Sequence, residues 1–188
     1  MLGMEEIMDL KETEIKSDLK YDGEIIRVEW ETVRLANGEI AHRDVVHHAE
    51  AVAMLVITDD NKIILEKQWR EPAKAVLLEI PAGKLDERDK GNEMHAVQRE
   101  LNEEIRYDAK LIRELYSFYT SAGFADEYMY LYLATDLVPV EKELPRDNGE
   151  FLELVEYTLP EAKKLINDGK IVDGKTIMAI QYWELMQK

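Results

Sequence analysis

Residues 80–107 read IPAGKLDERDKGNEMHAVQRELNEEIRY, and this stretch decides the fold. Its second half predicts a helix over residues 92–105, because apolar residues recur there at spacings of three and four. The last turns of that helix crowd together the carboxylates of Glu100, Glu103 and Glu104. Like charges at these spacings repel by about 0.2–0.5 kcal/mol per pair, so the crowding requires an explanation.

The three glutamates share one side of the predicted helix. At about 100° per residue, Glu103 and Glu104 fall about 60° to either side of Glu100, roughly a quarter turn from the centre of the apolar stripe. We therefore expect them beside the edge of the core and not inside it. Two interpretations remain open at this point. The glutamates form either a solvated acidic face or a site for a divalent cation, since hard cations such as Mg²⁺ prefer carboxylate oxygens.

The segments around this helix predict an α+β protein. Alternating apolar and polar residues predict strands at 21–35 and 40–48, and two apolar runs joined by a short turn predict a hairpin at 51–58 and 62–70. Strands on both sides of one helix, with hairpins in place of regular βαβ units, are typical of the α+β class. The remaining predicted elements are strands at 75–83, 111–123 and 127–137 and helices at 159–170 and 173–188.

The composition restricts the partners of this protein. Among 188 residues, 24 are basic and 40 are acidic, and the formal net charge is -16. Such a surface repels nucleic-acid backbones and anionic membranes, because binding to either depends on clustered Lys and Arg. The absence of cysteine excludes disulfides, thiolate metal sites and thiol nucleophiles. The N-terminus does not resemble a secretory signal, and no apolar run approaches the roughly 20 residues of a bilayer span, so we expect a soluble cytoplasmic protein.

The opening stretch resembles the Nudix box, whose usual form is G, five residues, E, seven residues and then R-E-U-x-E-E-x-G-U, with U aliphatic or aromatic. Gly83 matches the first glycine, and residues 99–104, RELNEE, match the R-E-U-x-E-E core in order. The resemblance implies the Nudix fold, in which helices sandwich a mixed β-sheet. It also favours the cation site over the solvated acidic face.

The loop of the box departs from the usual form. Fifteen residues separate Gly83 from Arg99 where the family has thirteen, so the loop contains two extra residues. Counting back from Arg99 places Gly91 where the first glutamate belongs, with Asp89 or Glu93 as its replacement. In the family that glutamate is chiefly a structural partner, so we expect the change to affect loop geometry more than metal binding.

The resemblance extends over residues 13–185 and indicates the ADP-ribose pyrophosphatase branch. It implies an N-terminal antiparallel β subdomain at 1–50, which forms a homodimer in which each copy completes the other's site, and a Nudix hydrolase domain at 51–188. Residues 149–162, GEFLELVEYTLPEA, correspond to a loop leading into a helix. The strand IIRVEWETV and the closing segment IMAIQYW are both compatible with a dimer contact, and equally with ordinary core.

The reaction implied by the resemblance is hydrolysis of the diphosphate of ADP-ribose to AMP and ribose 5-phosphate. Mg²⁺ is the expected cofactor, with Mn²⁺ as the alternative ion. By their positions in the motif, the Ala82 carbonyl, Glu100, Glu103 and Glu104 would bind the metal. Arg99 would hold these carboxylates in place by ion pairing.

Catalysis also needs a general base, which the resemblance places in the acidic loop RDNGEFLE at residues 146–153. Glu150 is the first choice, and Asp147 and Glu153 are the alternates. An exposed loop acid without this role is an equally good interpretation of Glu150. The catalytic residues assigned from the sequence are therefore Glu103, Arg99 and Glu150.

Three residues are candidates for contacts with the substrate. Arg70 could bridge two diphosphate oxygens, or it could form a surface ion pair with Glu66 or Glu71. Trp30 could lie near an adenine, cover a dimer interface or belong to the core. Glu127 could hydrogen-bond a ribose, or it could be a loop-end acid without that role.

Two residues outside these groups differ from the family pattern and leave other functions open. Arg106 stands where a glycine usually ends the box, and Ala122 replaces a proline that typically follows serine after the box. The second difference leaves another nucleoside diphosphate sugar, a GDP- or UDP-hexose, as an alternative substrate. A non-catalytic sensor that binds ADP-ribose is the alternative from another class, although the intact R-E-U-x-E-E core argues against it.

Overall fold

The computed structural model describes residues 10–149 and 151–187, which form an α+β fold as predicted. The strands are β1 (Thr13–Asp22), β2 (Ile26–Arg34), β3 (Ile40–His48), β4 (Ala51–Val56), β5 (Lys62–Arg70), β6 (Ala75–Glu79), β7 (Ala82–Lys84), β8 (Tyr107–Tyr119), β9 (Tyr128–Pro139) and β10 (Leu152–Thr158). The helices are α1 (Glu93–Glu100), α2 (Leu159–Asn167) and α3 (Gly174–Met186). No helix among the described residues is both long enough and apolar enough to cross a membrane.

Contacts between residues divide the chain into two units. The first contains the N-terminal part as far as Ala49 together with Tyr119–Glu127. The second contains Glu50–Phe118 and the chain from Tyr128 onward. A division at residue 50 into a β subdomain and a Nudix domain stays a prediction, and it does not account for the segment Tyr119–Glu127.

The first unit contains an antiparallel sheet in the order β1-β2-β3. The prediction of one strand over 21–35 was wrong at its start, because the chain turns between Asp22 and Ile26 and so separates β1 from β2. The sequence of β1, TEIKSDLKYD, is too rich in charge for its alternation to be recognised. Two register shifts along its pairing with β2 disturb the period of two further.

Two sheets form the second unit. One is antiparallel in the order β10-β5-β6, and the other is mixed in the order β7-β4-β9-β8, with β4 parallel to β9 and antiparallel to β7. The expectation of a loop at 149–162 was wrong for Leu152–Thr158, because these residues pair along β5 as β10. The mixed sheet is the one that the Nudix fold predicts.

β4 lies in the core of the second unit, and different helices cover its two faces. Ala51, Ala53 and Leu55 belong to the cluster that includes buried residues of α2 and α3, whereas Val52 and Met54 pack with α1. The alternation follows from the period of two in a strand. Burial of one aliphatic side chain contributes about 1.5–3 kcal/mol, so both helix layers are firmly attached to this sheet.

The helix predicted at residues 92–105 is confirmed, but its last part is not α-helical. Asn92 caps α1, because its side chain accepts a hydrogen bond from the backbone N–H of His95. A single π turn, Leu101–Ile105, follows α1 directly. π turns inside helices are often found at functional sites, and this one contains two of the three crowded glutamates.

Candidate active site

The three glutamates of α1 and the π turn are buried: the exposed fractions of Glu100, Glu103 and Glu104 are 6%, 3% and 3%. The expectation that they lie beside the edge of the core was wrong, because β7 and the loop after it cover this side of the helix. The N–H of Ala82 donates to Oε2 of Glu104 over 3.0 Å, and Nη1 of Arg88 donates to Oε1 of Glu103 over 3.1 Å. A solvated acidic face is excluded for these residues.

Arg99 connects the glutamates to the loop that precedes the helix. Its Nη1 donates to Oε1 of Glu100 over 2.6 Å and to Oε2 of Glu103 over 3.0 Å, and its Nη2 donates to the carbonyl of Lys84 over 3.0 Å. Burial lowers the pKa of Arg99, but the hydrogen bonds to Asp89 and the charge of Glu100 raise it by more. A charged Arg99 in this place has the contacts that the predicted ion-pairing role requires.

Asp89, and not Glu93, is the loop acid that lies against Arg99. Its two oxygens accept hydrogen bonds from Nε and Nη2 of Arg99 over 3.1 and 2.9 Å, and Nδ1 of His95 lies 2.8 Å from Oδ1. Burial raises the pKa of Asp89, but the bonds from Arg99 lower it by more, so the group is charged. Counting forward from Gly83 would have identified it, because the residue after a five-residue spacer is Asp89.

Gly83 lies so close to α1 that it has no room for a side chain. A β-carbon on Gly83 would stand 1.8 Å from Oε1 of Glu100, well inside the contact distance of the two atoms. β7 approaches the helix this closely while it pairs with β4, where Val52 stands opposite Gly83. The first glycine of the motif therefore makes room for the first glutamate of its core.

Arg106 ends the π turn with a φ of 65°, in the left-handed region that glycine occupies more easily. For a residue with a side chain this conformation costs about 1–2 kcal/mol. The Arg106 guanidinium offsets that cost, because its Nη1 donates to the carbonyls of Asn102 and Leu144. The arginine thus ties the helix end to the loop after β9, which a glycine could not do.

The loop after β9 returns to the end of the same helix. Nε of Arg146 donates to the carbonyl of Glu103 over 3.2 Å, and its Nη2 donates to the carbonyl of Glu104 over 2.9 Å. Asp147, an alternate for the general base, lies 3.6 Å from Nη2 of Arg88. Neither arginine could be identified from the sequence, because neither stands at a position that the motif specifies.

The other two candidates for the general base are placed differently. Glu150 lies outside the described residues. Glu153 is on β10, where its Oε1 lies 2.7 Å from Nζ of Lys67 on the neighbouring strand β5. Asp147 lies near Arg88, and Arg88 donates to Glu103, so one of the three candidates is linked to the glutamates of the motif.

Arg70 forms an ion pair, but with neither of the partners that the sequence suggested. Its Nε and Nη2 donate to the two oxygens of Glu79 over 2.7 and 3.0 Å, and Nζ of Lys175 donates to the same carboxylate. Glu66 and Glu71 were therefore the wrong partners, because the Arg70 side chain reaches Glu79 on the neighbouring strand β6, where Glu79 stands opposite Glu66. The Arg70 side chain remains 41% exposed, so part of the guanidinium is accessible.

The remaining substrate candidates, Trp30 and Glu127, lie in the first unit. The ring of Trp30 stacks on His42 with 4.2 Å between ring centroids. Trp30 is half-buried on one face of the sheet and is not part of a closed core. Glu127 accepts a hydrogen bond from the hydroxyl of Thr120, and its Oε1 lies 3.4 Å from Nδ1 of His48. Glu127 is therefore held at the end of its loop by two neighbours.

The first unit also contains a group with the spacing of metal ligands, formed by Glu29, Glu31 and His47. One ligand atom from each lies within 4.8 Å of the others. Oε1 of Glu29 lies 3.2 Å from Nη2 of Arg27, and Nδ1 of His47 lies 2.6 Å from Oδ2 of Asp126. Arg27 thus already pairs with one acid of the group and Asp126 with its histidine, which we interpret as a network of polar contacts on the sheet.

Comparison with known proteins gives a match to the NUDIX domain family over residues 47–179. An ADP-ribose pyrophosphatase of Bacillus subtilis (strain 168) is 42% identical over 95% of this chain and 95% of its own. A methanol dehydrogenase activator of Bacillus methanolicus is 39% identical over 94% of this chain and 95% of its own. These two relatives thus match this chain over nearly its whole length.

A solved structure described as an ADP compounds hydrolase has the same fold. Its TM-score is 0.81 at 22% identity, and the match covers 94% of this chain and 96% of that one. The predicted Nudix fold is therefore confirmed. Nudix enzymes use divalent metal ions, and the matched region contains the buried glutamates around Arg99. Because the family match spans more than half of the residues, the chain belongs to the Nudix family and is a Nudix hydrolase.

Proposed function

We propose that this protein hydrolyses the diphosphate of ADP-ribose and releases AMP and ribose 5-phosphate, with Mg²⁺ as its cofactor. The substrate is supported by the 42% identity to a protein named ADP-ribose pyrophosphatase, which extends over 95% of both chains. The cofactor is supported by the choice of donor atoms, because Mg²⁺ prefers carboxylate and carbonyl oxygens.

The observation that carries the proposal is an imbalance of buried charge. Among the described residues, the motif and its loop bury four acids, Asp89, Glu100, Glu103 and Glu104, against one buried base, Arg99. Glu66 and Glu79 are buried as well, but Arg70 and Lys175 pair with Glu79. Buried charges are costly unless they are paired or bind a metal, so a region with this excess of carboxylates suits a cation. An all-oxygen donor set fits a hard divalent ion.

In this proposal the metal is held by Glu100, Glu103, Glu104 and the carbonyl of Ala82, and Arg99 positions the carboxylates. When bound, such a cation neutralises the diphosphate and makes a bound water more acidic. The contacts of Arg99 with Glu100 and Glu103 support its positioning role. These roles come from the motif and are tested by substitution.

The reaction itself needs water, a base and a leaving group. Water attacks one phosphorus, the bond from that phosphorus to the bridging oxygen breaks, and the other phosphate leaves with that oxygen. We propose Glu150 as the base that accepts the proton of the water, with Asp147 and Glu153 as alternates. Arg70 would bind the diphosphate through its accessible N–H groups, a contact that guanidinium geometry favours.

For the rest of the substrate we propose Trp30 as an adenine contact and Glu127 as a ribose contact. Aromatic rings are suited to stacking on a base. The half-buried ring of Trp30 already stacks on His42, which supports a stacking role at this place. A carboxylate such as Glu127 can accept hydrogen bonds from two hydroxyl groups.

We also propose that the protein is a homodimer. β1 exposes the large apolar residues Ile15, Leu19 and Tyr21, and exposed apolar residues in number mark contact surfaces. Ile180 and Trp183 of the closing segment are buried in the core of the second unit, so the ordinary-core interpretation is the better one there. Light scattering during gel filtration should give twice the mass of the chain. A cytoplasmic location stays a prediction.

The experiment that tests the function is a mass-resolved product assay with ADP-ribose, with Mg²⁺ and with a chelator. We expect AMP and ribose 5-phosphate with Mg²⁺ alone. Glu103→Gln should abolish turnover, whereas Glu156→Gln, an exposed acid on β10, should not. Cleavage of GDP- or UDP-hexoses without cleavage of ADP-ribose would favour the alternative substrate class. Binding of ADP-ribose without any cleavage would favour the sensor.

A further inference from the structure

Glu79 is shared by two cations from different parts of the second unit. Arg70, at the end of β5, donates to both of its oxygens, and Nζ of Lys175 in the first turn of α3 donates to Oε2. The carboxylate is 5% exposed, and the Lys175 side chain is also largely buried. A long, flexible lysine side chain loses considerable freedom when it is held in this way, so the arrangement needs a compensating benefit.

The opposite strand places a second acid beside Glu79. Glu66 stands directly across from Glu79 in the register of β5 and β6, and both residues are buried. Two acids in opposite positions on a sheet repel each other when both are charged. Burial raises the pKa of Glu79, but the bonds from Arg70 and the charge of Lys175 lower it by more. Glu79 is therefore an anion that both cations hold in place.

The first turn of α3 is itself fixed to the chain beside Glu79. Oδ2 of Asp173 accepts hydrogen bonds from the N–H and the hydroxyl of Thr176, over 2.9 and 2.6 Å. The N–H of Ile80 donates to the same hydroxyl over 2.9 Å. Lys175 thus projects from a first turn of α3 that these hydrogen bonds fix in place. The same turn binds Ile80, the residue after Glu79, and the strand β7 begins shortly afterwards at Ala82.

The arrangement fixes the orientation of the Arg70 guanidinium. An arginine has five N–H groups in a planar fork, and Glu79 takes two of them, which leaves three that point away from it. Glu104, a glutamate of the motif, acts on Arg70 through its charge and helps to raise the pKa of Arg70, after the larger effect of the bond to Glu79. Arg70 therefore lies within the electrostatic influence of a motif glutamate.

We propose that Lys175 is a positioning residue for diphosphate binding, which acts by holding Glu79 so that Arg70 presents its free N–H groups to the substrate. The inference rests on the proposed function of the site, and it adds a residue from α3 to it. Without Lys175, Glu79 and Arg70 form a pair with no net charge and with one support fewer. The Arg70 guanidinium is then less well oriented.

The test is a double-mutant cycle of Lys175→Met and Arg70→Met, read as the affinity for α,β-methylene-ADP in Mg²⁺ and as KM and kcat for ADP-ribose. Calorimetry gives the affinity, because the carbon bridge of this diphosphate cannot be hydrolysed. Lys175→Met should weaken binding and raise KM by about tenfold, the loss expected for a charged hydrogen bond, with kcat nearly unchanged. Arg70→Met should do at least the same, and the double variant should be no worse than Arg70→Met alone.

Two further variants distinguish positioning from a general effect on the fold. Lys175→Arg should restore most of the affinity, because a guanidinium can also donate to Glu79. Lys163→Met, which removes a partly exposed lysine of α2 that pairs with Glu184 of α3, should change neither affinity nor KM. Losses that add in the double variant would mean that Lys175 contacts the ligand directly, and would overturn the proposal.

The remaining outcomes are also decisive. A lower melting temperature with unchanged affinity would make Lys175 a purely structural residue. Failure of the wild-type protein to bind the diphosphate analogue would remove the assumed contact of Arg70, and the proposal with it. Turnover of ADP-ribose by the wild type tests the proposed function by itself. A failure of the proposed function can therefore be distinguished from a failure of the proposal for Lys175.

Discussion

The carboxylate of Glu100 occupies the space that a β-carbon on Gly83 would need, with 1.8 Å between Oε1 and that position. Gly83→Ala should therefore push Glu100 away from Arg99, from which it accepts a hydrogen bond over 2.6 Å. We expect kcat to fall by about tenfold to 100-fold, as for other losses of support around a metal site. The protein should still fold, because the displaced atoms belong to a side chain. Steady-state kinetics over a range of Mg²⁺ concentrations measure the loss.

Gly174→Ala is the matched control for this substitution. A β-carbon on Gly174 meets no atom within 4 Å, and the residue begins α3, where alanine is the better helix former by about 1 kcal/mol. This variant should keep its activity and its stability. Normal metal dependence in Gly83→Ala would show that the close approach to Glu100 is not needed for the reaction.

Asp89→Asn should lower the free energy of unfolding by about 1–3 kcal/mol near pH 7, because the buried Arg99 loses one of its three carboxylate partners and keeps Glu100 and Glu103. The loss has a defined pH dependence. The pKa of Asp89 is lowered in the folded protein, so its charge stabilises the fold above the ordinary value of 3.8 and this contribution is lost as the pH falls below it. The difference in stability between the wild type and the variant should shrink as the pH falls from 3.8 towards the lowered pKa of Asp89 in the folded protein.

Urea denaturation at a series of pH values measures this difference. Asp59→Asn, at an exposed turn residue, controls for the general effect of removing one negative charge. A difference between wild type and Asp89→Asn that stays constant down to the lowest pH would contradict the assigned charge. The other acids are present in both proteins, so their contributions to the pH dependence of stability cancel in the difference.

The helix and its glutamates could be predicted because two independent signals mark them, the apolar spacing of α1 and the order of residues in the motif. The burial of Glu103 and Glu104 could not be predicted in the same way. It depends on β7 and on Arg88, which reach the helix from elsewhere in the chain. A helical wheel compares positions within one helix and contains no information about what covers its sides.

The partner of Arg70 shows the same limit. The sequence suggested nearby acids, whereas Glu79 is brought into contact by the pairing of β5 with β6. β1 and β10 were missed because charged residues interrupt their apolar alternation. Register and pairing arise from contacts between segments, so a reading of one segment at a time does not reveal them.

Arg106 allows the cost of its backbone conformation to be measured apart from its side-chain contacts. Arg106→Ala keeps the positive φ of 65° and loses the hydrogen bonds to Asn102 and Leu144, so it should be the less stable variant. Arg106→Gly loses the same bonds but relieves the conformation. We expect the glycine variant to exceed the alanine variant by about 1 kcal/mol in the free energy of unfolding. Urea denaturation of both proteins gives the value, and equal stabilities would mean that the turn relaxes in the alanine variant.

Arg146 ties the loop of the candidate base to the helix of the glutamates through two hydrogen bonds, to the carbonyls of Glu103 and Glu104. Arg146→Gln cannot make both bonds with the same geometry, so the loop should open more often while the carboxylates stay in place. We expect kcat to fall by about tenfold with little change in the Mg²⁺ requirement, and hydrogen exchange at residues 140–149 to become faster. Arg113→Gln, which loses an exposed bond to Tyr182 elsewhere in this unit, should leave both measurements unchanged. Faster exchange with a normal kcat would mean that the order of the loop does not matter for the reaction, and it would favour a base outside the loop. A higher Mg²⁺ requirement would instead mean that Arg146 acts through the backbone of the metal site.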